Sequence, residues 1–235
     1  GLACLLAALL NDRDVLQARN GADIDLRLLA LQDYLRHGKA AHRKYPTHLA
    51  ALNDAARLAR QLTQRMNLRH STPPLIDDAE RSRRTAELLL IAFPERLAKR
   101  RGKTTRYQLA NGKGVTLPPT DHLSRSEWLI VADWDGRSSD GDIFVASAIP
   151  SETVYNHARS HGHWQDELAL NTDNTQLRST ATLYYHALEV LKQQPRTLTG
   201  GELQAQLPTL FRQHGLSLLN WTTHCERWLT RVTWL

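Results

Sequence analysis

Apolar residues recur at helical spacing through the first hundred positions. Leu2, Leu5, Leu6, Leu9 and Leu10 lie three or four apart before Asn11–Asp14 breaks the run, as one face of a helix requires. A second helix over Ile24–His37 is predicted, with Asp23 as its N-cap acceptor and Gly38 as its stop. After the Tyr45-Pro46 break a third helix is expected from Thr47. Its apolar stripe is Leu49, Leu52, Ala56, Ala59, Leu62 and Met66, with Arg57, Arg60 and Arg65 largely off it. Thr72-Pro73-Pro74 ends that helix. A fourth is predicted from Asp77 to Phe93. Pro94 then opens a predicted short basic helix to Arg101, because its missing N–H costs nothing at a first helical position.

At Gly102 the period changes to two. Arg106-Tyr107-Gln108-Leu109 alternates, Asn111-Gly112 is a hairpin turn signal, and Val115 and Leu117 alternate in the return strand. Glu127–Trp134 is apolar on both faces, which predicts a buried central strand. Trp128 and Trp134, six apart on that strand, are expected on one face in the core. Asp142–Ile149 is a further strand, and Pro150-Ser151 opens a helix to about Ser160. Trp164–Leu170 and Gln176–Leu183 are two more strands. Short strands with turns between them predict a small barrel. Five strands and one interrupting helix fit an OB-fold, although periodicity alone does not separate it from other small barrels. Gly200-Gly201 precedes a helix from Glu202 to His214, Leu216–Leu219 is a strand candidate, and Thr223 with Glu226 reads as the capping box of a last helix. Its stripe is Cys225, Leu229, Val232 and Leu235. The fold class is therefore α+β and multidomain: an N-terminal helical bundle, a small OB-like β-barrel, then a mixed α/β C-terminal segment. The chain opens without Met inside one helical pattern and stops inside another, so both ends are expected to be truncations.

Charge sharpens this picture. The net charge is +6, but residues 1–120 carry 21 Lys and Arg against 11 Asp and Glu, whereas residues 121–235 carry 9 against 13. Such asymmetry points to a polyanion partner for the basic half, or to a basic surface kept for solubility. The densest cluster, Arg96 to Arg106, holds six basic residues in eleven and no acid. Arg96, Lys99, Arg100, Arg101, Lys103 and Arg106, with Lys113 nearby, can contact phosphates, and Tyr107 is the candidate stacking ring beside them. The competing readings are a solvated face and a surface that docks on an acidic protein domain.

Other chemistry is not legible. No phosphate-loop motif occurs: Gly112-Lys113-Gly114 sits in a hairpin turn, whereas a phosphate loop leads from a strand into a helix. No nucleophile elbow is present. His161-Gly162-His163, near Asp166 and Glu167, could give two ligands to one metal, but nothing completes a known spacing, so structural loop histidines are expected and no metal is assigned. Asp133 and Asp135 read as turn residues after a buried strand. Cys4 and Cys225 are expected to be free thiols of a cytoplasmic protein. No apolar run is long enough to predict a membrane span.

Read in order, several segments resemble the C-terminal half of bacterial DEAH-box ATP-dependent helicases of the HrpB type. The most specific is the run Ala92 to Gly102 (AFPERLAKRRG), followed by Arg106 to Gly114 (RYQLANGKG) and Trp128 to Asp133 (WLIVAD). The opening Leu2 to Leu10 (LACLLAALL), and Gly215 to Leu219 (GLSLL) with Trp221, also fit. The resemblance implies a helical ratchet domain over 1–102, an OB-fold over 103–182 and the start of a type-specific C-terminal domain over 183–235. It further implies single-stranded RNA or DNA and the helicase's own RecA-like motor domains as partners. ATP and Mg are expected in those motor domains and no cofactor in this chain. No catalytic residue carries over, because none of the motor motifs is present.

Overall fold

A computed structural model describes residues 1–17, 21–38, 40, 44–67, 77–136, 140–170, 176–215 and 222–232. Four helices come first: α1 (Leu2–Leu10), α2 (Ile24–His37), α3 (Leu49–Arg65) and α4 (Asp78–Ala92). The Asp23 carboxylate accepts from the Asp25 amide at 2.9 Å, and Gly38 closes α2 at φ 59° with its amide on Tyr34 O. Asp77 caps α4 in the same way through the Glu80 amide, at 2.7 Å. Helix α3 starts two residues later than expected. Thr47 is fully buried and bridges Leu16, with Gln17 N donating to Pro46 O and His48 N to Val15 O. Backbone held in that short ladder is not free to turn into a helix. Ala51, Leu52, Ala55, Ala56 and Ala59 form the buried face of α3, while Met66 is exposed. The Thr72-Pro73-Pro74 stop lies outside the described residues.

The expected basic helix over 94–101 is not formed. Pro94–Arg96 makes one 3-10 turn and Leu97–Arg100 is a strand, β1. Partners remote in sequence decide this: β1 is laddered on both edges, to β2 (Arg106–Leu109) and to β4 (Trp128–Trp134). With β3 (Gly114–Thr116) and β5 (Asp140–Ala148) these strands close a barrel in the order β1-β2-β3-β5-β4. Only the β3–β5 pair is parallel. This is an OB-like barrel, opening at Leu97. Ala98, Tyr107, Leu109, Val115, Leu129, Val131 and Ala146 fill it.

A register shift between Val131 and Asp133 breaks the alternation of β4. Leu129 and Val131 belong to the barrel core before the shift, and Trp134 packs on that same core after it. Trp128 is buried but outside that cluster. The two tryptophans therefore do not share a face, contrary to the even spacing, because a bulge inserts one residue and inverts the pattern. Gly141 is required at the following hairpin: a Cβ there would lie 1.8 Å from Asp135 O.

Helix α5 (Ser151–His161) follows the barrel instead of interrupting it. The two later strands are present as β6 (His163–Leu170) and β7 (Leu177–Tyr185), but they build a second sheet with β8 (Leu188–Lys192) and β9 (Arg196–Thr197). Helices α6 (Gly200–His214) and α7 (Thr223–Val232) complete the chain. Thr222, not Thr223, caps α7, its hydroxyl oxygen accepting from Cys225 N at 3.4 Å. The Leu216–Leu219 strand candidate and Leu235 lie outside the described residues.

Two compact units result: Gly1–His163 with Tyr184–Val190, and Trp164–Leu183 with Leu191–Leu235. In the first, helices and barrel are knit together. Ala146 N donates to Ala22 O at 2.8 Å, and the buried Asp121 carboxylate accepts from both Ala22 N and Leu123 N. Arg27, 4% exposed, forks onto Asp14 and donates to Gly21 O and Asp23 O. The second unit has a smaller core around Leu177 and Leu198. Among the described residues no helix is long and apolar enough to cross a membrane.

Candidate nucleic-acid interface

The basic run 96–106 divides into two sets. Arg96 ends the 3-10 turn, half-buried; its Nη1 donates to Ala132 O at 2.6 Å and its guanidinium lies 4.4 Å from the centre of the Phe93 ring. Lys99, on β1, donates to Glu189 O at 2.6 Å, with its ammonium 5.3 Å over the Trp128 ring. Arg100 has the same parity as the core residue Ala98, so it points toward the barrel end. There it donates to Arg125 O at 2.9 Å and Ser124 O at 3.3 Å. These three cations satisfy carbonyls of their own fold.

Arg101, Lys103 and Arg106 are placed differently. They flank the β1–β2 turn, which Gly102 enters at φ 61°, a left-handed conformation that suits glycine. Thr104 tightens the loop, its hydroxyl donating to Arg101 O at 2.7 Å, and Arg101 N closes it onto Arg106 O at 2.8 Å. These bonds hold the loop without the long side chains of Arg101, Lys103 and Arg106, which are exposed. Among the described residues, Arg101 reaches Gln108 Oε1, at 3.4 Å, and Arg106 reaches Asp140, at 3.8 Å with a side chain 64% exposed. Exposed ion pairs of that length contribute little. Lys113 sits at the opposite end of β2, where Lys113 O accepts from Leu109 N, and its ammonium lies 5.3 Å over Trp134.

Tyr107 is not a stacking surface. It is fully buried, and its hydroxyl faces Leu123 O and Ser126 O at 3.0 and 2.9 Å. Burial pushes that hydroxyl up to about 12, with Asp121 adding to the effect and Arg100 opposing it. The alternation of β2 already implied this: residues 107 and 109 share the core face, and 106 and 108 the outer one.

The structure also brings together rings that the sequence pattern did not connect. The tip of the β7–β8 hairpin rests on the outer edge of β1–β2, through Ala187 N to Ala110 O at 3.0 Å and Gln108 Nε2 to Ala187 O at 3.2 Å. Tyr185 in this hairpin lies 3.1 Å from His157 Nε2, and His157 stacks on His161 with centroids 4.3 Å apart. His163 lies against Tyr184 instead, at 5.9 Å, so the two histidines of the His-Gly-His string join different ring pairs. Asp133 is exposed beside the β4 bulge, and Asp135 N bonds Asp142 O across the β4–β5 turn.

No protein-family model matches the chain. Among curated proteins, the ATP-dependent RNA helicase HrpB of Escherichia coli K12 is 32% identical over 183 residues, 75% of this chain. The chain spans 22% of that helicase's length. Among solved structures, the E. coli DExH-box NTPase HrpB superimposes with a TM-score of 0.61 at 27% identity, over 95% of this chain and 24% of that one. A second structure, the E. coli DEAH/RHA helicase HrpB, gives a TM-score of 0.57 at 24% identity over the same shares, a likeness of fold. Helices, barrel and second unit together, this chain resembles the C-terminal region of HrpB.

Proposed function

We propose that this chain is a strand-handling accessory region of a bacterial DEAH-box RNA helicase and that it holds single-stranded RNA, or DNA, by its phosphates. The observation that supports this most is the division of the basic run. Arg101, Lys103 and Arg106 stand exposed on one tight loop of an OB-like barrel, while their neighbours are occupied by carbonyls. OB-folds bind oligonucleotides on the β2–β3 face and its flanking loops. Contacts to phosphates position a strand without reading its bases, so sequence preference is low. ATP and magnesium are assigned to RecA-like motor domains, whose motifs this chain lacks. As those domains open and close with ATP, the helices and barrel act as a fixed wall that retains the strand between steps.

The test is binding of a labelled single-stranded RNA by fluorescence anisotropy across a salt series. It compares the chain with an Arg101→Glu/Lys103→Glu/Arg106→Glu variant. Each phosphate contact to a single strand adds about 0.7 to the salt slope, so three lost contacts should flatten it by about 2, with affinity falling ~100-fold at low salt. Unchanged affinity and slope would refute the reading. If the variant then failed to assemble with motor domains, the cluster would belong to a protein-docking surface.

A further inference from the structure

Within the first unit, α1, the loop that follows it and the start of α2 meet β4 and β5 around a cleft of about 740 Å³. Sites that hold ligands commonly measure about 300–1,000 Å³. Much of the wall is apolar: Leu10, Leu16, Phe93, Pro118, Ile143 and Val145 border it. The charged part of the wall is lopsided, with five carboxylates against two guanidiniums. Both guanidiniums are already engaged. Arg27 forks onto Asp14, and Arg96 serves Ala132 O and covers the Phe93 ring. Asp121 accepts from two backbone amides.

Asp12 and Asp133 differ from these. Both are exposed, and neither takes part in an ion pair among the described residues. Asp12 accepts from its neighbour Arg13 N at 2.8 Å. The β4 bulge brings Asp133 here. Ala132 and Asp133 are consecutive, yet both border the cleft, whereas regular alternation sends neighbours to opposite faces.

Charge selects the occupant. Carboxylates repel a phosphate backbone, and Arg101, Lys103 and Arg106 do not border this cleft, so it does not extend the strand-binding loop. Among the described residues no three acids, histidines or cysteines gather to hold a metal ion. An extended cation with an apolar body fits both parts of the wall. Arginine and lysine lay their methylenes along apolar surface while the charged head reaches outward. Residues 1–120 carry 21 Lys and Arg against 11 Asp and Glu. Such a surface repels a basic segment elsewhere and leaves the cleft as the complementary place.

We propose that this cleft is a docking site for a protein partner, and that it takes a segment with arginine or lysine set between apolar residues. The basic heads pair with Asp12 and Asp133, and the apolar side chains lie against Leu10, Phe93 and Ile143.

The experiment uses the full chain and a fluorescein-labelled hexapeptide of alternating leucine and arginine, followed by anisotropy. Two control peptides replace arginine by glutamate or leucine by glycine. The parent should bind the leucine–arginine peptide at least tenfold more tightly than either control, and added salt should weaken that binding. An Asp12→Asn/Asp133→Asn variant keeps the shape and removes the charge. It should bind the peptide about tenfold more weakly, with the parent's thermal unfolding and RNA affinity. Equal peptide affinity in parent and variant, or a glycine–arginine peptide that binds as tightly, would overturn the proposal. Sedimentation supplies a second readout. Self-association of the parent that the variant loses would make a second copy of this chain the occupant, and the partner proposal would fall. Loss of RNA binding on reversing Arg101, Lys103 and Arg106 bears on the phosphate reading alone, so the two can fail separately.

Discussion

The basic run 96–106 contains two regions that composition does not distinguish. In one, Arg96, Lys99 and Arg100 donate to Ala132 O, Glu189 O and Arg125 O. In the other, Arg101, Lys103 and Arg106 extend from a loop whose closing hydrogen bonds do not use their side chains. The first set seals carbonyls around the barrel; the second leaves charge available to a ligand. A cation is free for recognition only when the fold does not need its N–H groups, and sequence spacing carries no trace of that distinction.

The largest effect that separates the two regions is the ~100-fold loss of RNA affinity expected on reversing the exposed set, with thermal stability unchanged. The mirror experiment comes next. Arg96→Ala removes the bond to Ala132 O and the cover over Phe93, so thermal unfolding should show a loss of about 1–3 kcal/mol, while the salt slope of RNA binding stays put. A lowered slope with intact stability would move Arg96 into the binding set.

Tyr107 sharpens the same boundary with a smaller effect. Tyr107→Phe should cost about 1 kcal/mol and leave RNA affinity untouched, whereas a stacking tyrosine would lose little affinity but retain full stability. Because the native hydroxyl is raised from 10.0 to about 12, its stabilising contribution is complete below pH 10 and is lost as pH rises toward 12. Denaturation at alkaline pH should therefore be steeper for the parent than for the Phe variant. The smallest effect concerns His157. Its folded form holds the proton less tightly than the unfolded chain, by burial first and His161 second. The unfolded state then binds more protons below the ordinary imidazole value of 6.5, so stability falls as pH drops through and below that value. His157→Gln should flatten the acid side of a melting-temperature profile; an identical slope in parent and variant would remove His157 from the ring stack's energetics.

Much of the fold was legible because local signals and tertiary packing agreed. Asp23 and Gly38 bound α2 as their cap chemistry predicts, and Asn111-Gly112 turns β2 into β3. Errors arose where remote partners overrode a local pattern. Residues 97–100 read as helical beside Pro94, yet two flanking strands captured them. The third helix lost its first two residues to the Leu16–Thr47 bridge. The Trp128–Trp134 spacing was even, but a bulge put them on different faces. At the candidate interface the cations were legible as a cluster, whereas the ring packing was not, since Tyr185 reaches His157 only when the β7–β8 hairpin returns.

The sequence by itself determined what is periodic and local: four amphipathic helices, the switch to strands, the turns, the excess of positive charge before residue 120 and the absence of motor motifs. Tertiary structure alone decided which cations are spent on the fold and which rings the β7–β8 hairpin brings against α5. The physical reason is that burial and hydrogen-bond satisfaction depend on what arrives from elsewhere in the chain. Glu189 O reaches Lys99 across ninety residues of sequence, and no local pattern around Lys99 encodes it.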